Sequence, residues 1–542
     1  MCVLTIMYPR TAGIGKEFPQ TFFKTGNLMG KSAPLSFGGF VDRMVWALVV
    51  FWIFLPELGI CQSAQDRYQL GRRLERFERA WQEADVASRA RSTASMEQAV
   101  GSFFSLQLGR AGKFLDQGWL QVTGVEESEQ VERLGGLGWK LEFERTLLDV
   151  KDPVVRGRAS VFYNSESATE GTDAMDKPHE VVLSLWPWSD TRARISGSQA
   201  TAGEPLLRRS ITLVLGEPFE LDLGGLAPGD YLVECVREGV GSGVSDWICP
   251  SVSLVDQTED RFGRMEQWLE SVRKEPGHTS RSTAKFLAKE LSRGRKGTSF
   301  EIDLPWNRLL RDFEQIAAQN SIQEASIHGA FGEWVSRSGW KWMQLSREKS
   351  TQVIRMEVPE YDAKDSELKL PLLIALHGAG GSENMFFQTY GAGRLIELGR
   401  QRRWIVVSPR QTMAGLGMDL SQMVEALSEI LPVDRTKVML VGHSMGAAQA
   451  MTQVSKHPQW VRGVAALGGG GGVIASEAIR KVPFYVGAGD RDFGKSGAKR
   501  LSQQLERLGC EVEYREYRDI EHMVIVQAAL DDVFAFFDQR LR

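Results

Sequence analysis

A chain of 542 residues is too long for one hydrophobic core, because such cores stop growing at about 250–300 residues, so two or three folded units are expected. With 42% hydrophobic and 25% charged residues the composition is globular and excludes a chain disordered throughout. A net charge of −4 argues against the basic footprint of a nucleic-acid binder, and five cysteines make no disulfide framework. Neither a CxxC pair nor an HExxH helix occurs, so no metal site and no cofactor site is read.

Residues 44–55 read MVWALVVFWIFL, an unbroken apolar run preceded by Asp42 and Arg43 and broken by Pro56, Glu57 and Gly59. A membrane-spanning helix needs about 20 apolar residues, so the run fits the apolar region of a secretory signal, with Ser63 and Ala64 as the small residues of a cleavage region. An uncleaved anchor is the rival reading, and bulky Ile60 argues against lipid attachment at Cys61. Residues 1–43 are mixed, rich in glycine and aperiodic, which suits neither role; the expectation is that translation starts at Met44. Segment 1–64 thus predicts an exported protein, periplasmic or extracellular, that meets a membrane only through residues 44–60. Cysteines can pair in such a compartment. Cys235 and Cys249 flank a glycine-rich stretch, and both a disulfide and two buried thiols remain open readings; Cys510 is left over.

Residues 65–135 form a helical region, with Leu70, Leu74, Phe77 and Trp81 at helical spacing and Phe103, Phe104 and Leu106 continuing it. Nothing there suggests chemistry. Residues 136–258 change character: VVLSLWPW (181–188), ITLVLG (211–216), FELDLGGL (219–226) and YLVECV (231–236) are short strands, and Pro228-Gly229-Asp230 is a turn. A β-sandwich is expected. The phrase GLAPGDYLVECV resembles the last hairpin of immunoglobulin-like or carbohydrate-binding modules. A binding module and a packing spacer are both open, the spacer being preferred. Residues 259–338 read as helical again, with breaks at Pro276-Gly277 and at 294–298, and no internal repeat of the propeller kind is present.

From 339 to 542 strands alternate with helices. TQVIRMEVP (351–359), LPLLIALHG (370–378), WIVVSPR (404–410), KVMLV (437–441), VRGVAALGG (461–469), VPFYVGAGD (482–490) and EVEYREY (511–517) are the strands, and DLSQMVEALSEIL (419–431) is an amphipathic helix. This alternation predicts a mostly parallel sheet, whose functional residues gather at the carboxyl ends of the strands.

Three sites stand at such ends. Residues 442–446 read GHSMG between an apolar strand and a helix, the G-x-S-x-G turn that exposes a serine hydroxyl, here Ser444. The turn is so tight that side chains two residues either side of Ser444 would collide. Of the two histidines that follow, His457 ends the elbow helix, whereas His522 lies between the last strand and the terminal helix, where the base of such a site belongs. The orienting acid should follow VPFYV. Asp490 fits a G-x-x-D spacing counted from Gly487 and is preferred; Asp492, counted from Gly489, is the alternative. The loop HGAGG (377–381) supplies small residues whose backbone approaches a developing oxyanion. The N–H groups of Ala379 and Met445 are the expected donors, with Gly378 as a neighbouring candidate. His377 is read as holding this loop and His443 as structural. The glycine run 468–472 either shapes the pocket floor or is a plain loop.

Taken together, LLIALHGAGGSENMF, PVDRTKVMLVGHSMG, VGAGDRDFG and IEHMV resemble the secreted esterase group of the α/β-hydrolases, among them feruloyl esterases, polyhydroxybutyrate depolymerase-like proteins and the catalytic domain of prolyl oligopeptidase-like enzymes. The resemblance covers about the last 200 residues and implies the α/β-hydrolase fold with esterase or peptidase chemistry at Ser444, Asp490 and His522. Ala447 departs from the pattern, where such esterases often carry another Gly. No cysteine stands at the elbow, which argues against a thiol mechanism. The implied activity is an exported, cofactor-independent serine hydrolase that cleaves a small-molecule or polysaccharide-linked carboxylic ester through an acyl-enzyme. A serine peptidase of the prolyl oligopeptidase type is the second reading, and a non-catalytic scaffold or binding protein is the third.

Overall fold

The apolar residues at 70, 74, 77 and 81 do fall on one helical face. In the computed structural model they are the buried side of α1 (Ala64–Glu83), which packs on α3 (Leu108–Val122) beside α2 (Val86–Phe104) and ahead of α4 (Glu127–Leu137). Asp85 caps α2 by accepting from Ser88 N–H at 2.8 Å. The structure describes residues 64–163, 178–188, 204–237, 247–274, 277–318 and 329–542, save 363, 366 and 413. The start and signal expected in 1–63 lie outside these, apart from Ala64, which opens α1. Among the described residues no helix is long and apolar enough to cross a membrane.

Eight short strands follow. β1 (Trp139–Phe143), β3 (Val154–Val161) and β6 (Pro218–Asp222) form one sheet, in the order β1-β3-β6. β2 (Leu147–Asp149), β4 (His179–Pro187), β5 (Leu207–Leu213), β7 (Gly229–Arg237) and β8 (Val252–Val255) form the other, in the order β2-β8-β7-β4-β5. Alternate residues of both, such as Leu141, Val155, Leu183 and Val233, close on a single core, as a sandwich requires. Cys235 and Cys249 are both buried thiols in this core.

Helices α5 (Thr258–Ser271), α6 (Thr279–Arg295), α7 (Trp306–Ala317) and α8 (Ala330–Ser336) lead to the last sheet. Its strands are β9 (Gly339–Arg347), β10 (Ser350–Val358), β11 (Leu370–Leu376), β12 (Ile405–Pro409), β15 (Val433–His443), β16 (Gly463–Leu467), β17 (Phe484–Gly489) and β18 (Val512–Tyr517), with a small hairpin, β13 (Gln411–Thr412) and β14 (Gly415–Leu416), beside them. The order is β18-β17-β16-β15-β11-β12-β10-β9. All neighbours from β12 to β18 are parallel, while β9 and β10 join antiparallel at one edge.

The near-continuous apolar runs are explained by burial on both faces. Along β11, Leu372, Ile374 and Leu376 enter a core with helices α5–α8, α11 (Leu420–Ser428), α12 (Met445–Lys456) and α13 (Lys495–Arg507). Leu373 and Ala375 enter the opposite core with α10 (Arg394–Gln401), α14 (Ile525–Leu541) and the N-terminal helices. From Gln62 to Arg542 the chain is therefore one compact unit. The short helix α9 (Met385–Gln388) follows the HGAGG loop.

A buried ionic knot ties α1 to its surroundings. Asp116 accepts from Arg73 Nε at 3.0 Å, from Arg76 Nη2 at 2.6 Å and from Tyr163 Oη at 2.8 Å, and Arg73 also donates to the carbonyl of Leu137 at 3.0 Å. Removing the acid leaves two buried guanidinium groups without the carboxylate that balances them, which generally costs about 3–5 kcal/mol. Asp116→Ala is expected to lose that much stability in urea unfolding; a loss below about 1 kcal/mol, the range of surface pairs, would show that the knot is not a structural tie.

Candidate active site

Ser444 sits between the end of β15 and the start of α12 with φ 55° and ψ −115°, a conformation that L-residues rarely adopt. The flanking glycines make it feasible. A Cβ on Gly442 would stand 2.2 Å from the carbonyl oxygen of Gly446, and one on Gly446 would stand 1.9 Å from that of Leu376. Gly469 is tight as well, because a Cβ there would lie 2.6 Å from Ser444 O, so this one glycine of the 468–472 run packs against the backbone of the serine turn.

The structure brings Ser444, His522 and Asp492 together. His522 Nε2 lies 3.0 Å from Ser444 Oγ, and His522 Nδ1 lies 2.7 Å from Asp492 Oδ1. A carboxylate only accepts, so Nδ1 carries the hydrogen and Nε2 turns its lone pair to the serine hydroxyl. Burial pushes the Asp492 carboxyl up, but the hydrogen bond and charge of His522 and the Gly494 N–H outweigh it and leave it below the ordinary range.

The preference for Asp490 is thereby corrected. β17 runs on to Gly489, two residues beyond the strand end assumed at Gly487, and the Asp490 N–H still bonds the carbonyl of Tyr517 at 2.8 Å. The G-x-x-D spacing counted from the true strand end gives Asp492. Gly468, at φ 58°, leaves room for it, since a Cβ there would be 2.9 Å from Asp492 Oδ2.

A second chain of hydrogen bonds runs behind the serine. The Gly378 N–H donates to Tyr390 Oη at 3.2 Å, Tyr390 Oη lies 2.9 Å from His443 Nδ1, and His443 Nε2 lies 2.8 Å from the carbonyl oxygen of His522. That carbonyl fixes the tautomer: Nε2 donates, so Nδ1 accepts from Tyr390. Burial, then the charge of His522, pushes the His443 pKa down to about 3, so the ring is neutral. The chain also bears on the expected oxyanion donors. Gly378 is corrected as a candidate, because its N–H is already bonded. Among the described residues the N–H groups of Ala379 and Met445 donate to no protein atom, and both residues are half-buried. Met445 opens α12, where helical N–H groups are unpaired. His377 is buried, lies 2.8 Å from the Gly378 carbonyl through Nδ1 and accepts from Gln411 N–H at 3.3 Å, so it braces the loop. His457 stands apart, 3.6 Å from Asp419.

Half of the residues that line the cavity over Ser444 come from outside the C-terminal segment. Leu70, Leu74, Met96, Val100, Phe103 and Leu115 of α1–α3 face Ala379, Met385, Ser444 and His522. Phe493 packs on the His522 ring at 3.9 Å between centroids, and Phe104 lies 6.4 Å from it. No local signal marks these residues, because their spacing is that of ordinary helix packing. Among the described residues no cluster of His, Cys, Asp and Glu could hold a metal ion.

Residues 373–539 match the Alpha/beta hydrolase family. With the sheet order above, the C-terminal region has the α/β-hydrolase fold. No curated protein matches the chain. Similar solved structures include a thermostable esterase (18% identity, 37% of this chain, 62% of that one, TM-score 0.31). A ferulic acid esterase is similar over 38% of this chain and 100% of its own, at 17% identity and TM-score 0.32. An S-formylglutathione hydrolase of Staphylococcus aureus is similar over 38% of this chain and 100% of its own, at 11% identity and TM-score 0.32.

Next to His522, the Glu521 carboxylate is buried and accepts from the N–H groups of Met523 and Val524, both at 2.8 Å. Burial pushes its pKa up to about 7 despite those donors. A free glutamate titrates near 4.3, so between these values the folded state binds more protons than the unfolded one, and stability falls as pH rises. The fall amounts to about 3 kcal/mol between about pH 4.5 and 7. Urea unfolding across this range should show the wild type losing that much relative to Glu521→Gln; parallel curves would mean that Glu521 titrates normally.

Proposed function

We propose that this protein is a serine hydrolase of carboxylic esters, acting through an acyl-enzyme on Ser444. The observation that carries the reading is the unbroken line Ser444 Oγ, His522 Nε2, His522 Nδ1, Asp492 Oδ1, with separations of 3.0 and 2.7 Å. It lies beside two backbone N–H groups with no protein acceptor. Ser444 attacks the acyl carbon and its proton passes to His522 Nε2. Asp492 holds the ring in the required tautomer and stabilises the imidazolium. The N–H groups of Ala379 and Met445 receive the oxyanion. His522 returns its proton to the departing alcohol, then activates a water that frees the acid and restores the serine. The neutral His443 places no second cation beside this imidazolium. On the apolar run at 44–55 we further propose that the protein works outside the cytoplasm.

The test is turnover of short-chain p-nitrophenyl esters beside chromogenic peptide amides. Ester turnover is expected, lost in Ser444→Ala, reduced about 10³–10⁴-fold in Asp492→Asn and nearly unchanged in Asp490→Asn. Serine-dependent cleavage of the amides would move the assignment to a peptidase. Equal loss in both aspartate variants would overturn the assignment of the acid.

A further inference from the structure

Every serine hydrolase must seat the acid half of its substrate against the nucleophile, and the chemistry dictates on which side. His522 has to reach the departing oxygen, so the alcohol lies toward His522, where Phe104 and Phe493 are 38% and 62% exposed. The acyl group then extends over the HGAGG loop. There the chain offers a partly open, apolar space that continues toward His522 and Phe104. A Cβ on Gly380 would stand 2.9 Å from the Phe103 ring, so α2 sits directly on the loop. Leu70, Leu74, Met96, Val100 and Leu115 complete the wall. Its far end is polar: Arg67 pairs with Glu301 at 3.7 Å, and Glu301 accepts from Asn384 Nδ2 at 3.4 Å. The cavity measures about 120 Å³. An apolar cavity of about 150 Å³ takes up a benzene molecule, so this smaller one sets an upper bound of roughly six carbons.

Resting on the ester-hydrolase reading above, we propose that this cavity is the acyl site, that helices α1–α3 are its specificity-determining wall, and that the substrate is an ester of an apolar acid of about six carbons. The apolar wall removes hydrocarbon from water, which is worth more for each added methylene until the polar end is reached. Beyond that point further carbons would displace hydrated groups without gain. The acid is thus larger than acetic and smaller than a long-chain fatty acid.

Gly71 of α1 gives a direct way in. It lines the cavity, and an added Cβ would meet nothing nearer than Thr389 Oγ1 at 3.8 Å and Glu301 O at 3.9 Å. A leucine there grows into the acyl space while the helix backbone is undisturbed. In the full chain, kcat/KM for p-nitrophenyl hexanoate is expected to exceed those for the acetate and the palmitate by at least about tenfold, the range that a methylene count commands in an apolar pocket. Gly71→Leu should lower the hexanoate-to-acetate ratio by the same factor. A flat acyl profile, an unchanged ratio in Gly71→Leu, or a preference for hexyl acetate that follows the alcohol instead, would overturn the proposal. Calorimetric binding of hexanoate to Ser444→Ala tests the site without turnover. Binding that Gly71→Leu abolishes in that background supports the site even if no ester is cleaved, in which case the hydrolase reading alone fails. Absence of hexanoate binding beside normal acetate-ester turnover overturns the acyl site and leaves the hydrolase reading intact.

Discussion

Ser444 is held at φ 55° in a turn so tight that two neighbouring Cβ atoms would collide with backbone. A backbone held in such a region costs on the order of 1–3 kcal/mol and persists only where its surroundings over-determine it. The surroundings do so here. β15 is hydrogen-bonded on both sides, by β11 and β16, and α12 is anchored through Ala447, Ala450 and Met451 in the core beneath the sheet. The compressed turn also presents the hydroxyl to His522 at 3.0 Å and leaves the Met445 N–H at the open start of α12, so one constraint places both groups that the proposed mechanism uses. Ala447, where the resemblance leads one to expect Gly, is fully buried in that helix packing, and its N–H donates to the Ser444 carbonyl at 3.1 Å.

The rest of the site is arranged around that turn by groups that never meet the substrate. His443, next to the serine in sequence, turns away from it and joins the carbonyl of His522 to the hydroxyl of Tyr390. Tyr390 in turn secures Gly378. The loop of His522 and the HGAGG loop are thus connected through one neutral ring whose two nitrogens have opposite roles. On the other side of His522, the Glu521 carboxylate gathers the first N–H groups ahead of α14 and stands close enough to Glu78 of α1 for their charges to oppose. Burial raises the pKa of both carboxyls, so each favours its protonated form in these surroundings.

The N-terminal helices change the character of the fold. An α/β sheet by itself leaves the carboxyl ends of its strands open, and the chemistry there unspecific. Here α1–α3 share a core with Leu373, Ala375 and the terminal helix, and their apolar side chains continue over Ser444. The buried Asp116 cluster locks α1 to α3 and to Tyr163 beyond the first sheet of the sandwich, so the roof of the cavity is as firmly tied as its floor. Thr93 of α2 donates to the carbonyl of Asp519 at 2.8 Å, which fastens the roof to the loop that carries His522.

The sequence by itself determined the sheet, the serine turn and the histidine that stands beside it. Apolar runs buried on both faces, separated by helical periods, admit little besides a parallel sheet, and GHSMG after one of them leaves Ser444 a single conformation. His522 was legible because only two histidines follow the serine and only one stands at a strand end. The acid was half legible: two aspartates two residues apart differ only in where β17 ends, and that end is set by pairing with β18, a partner distant in the chain. That the Gly378 N–H is already bonded was not legible, because its acceptor is the Tyr390 hydroxyl, which arrives from the short helix that follows α9. The cavity wall was not legible at all. Leu70, Met96 and Leu115 have the spacing of any packed helix, and whether such a face meets a neighbouring helix or an empty space over a serine is a matter of three-dimensional placement, which only the tertiary structure decides.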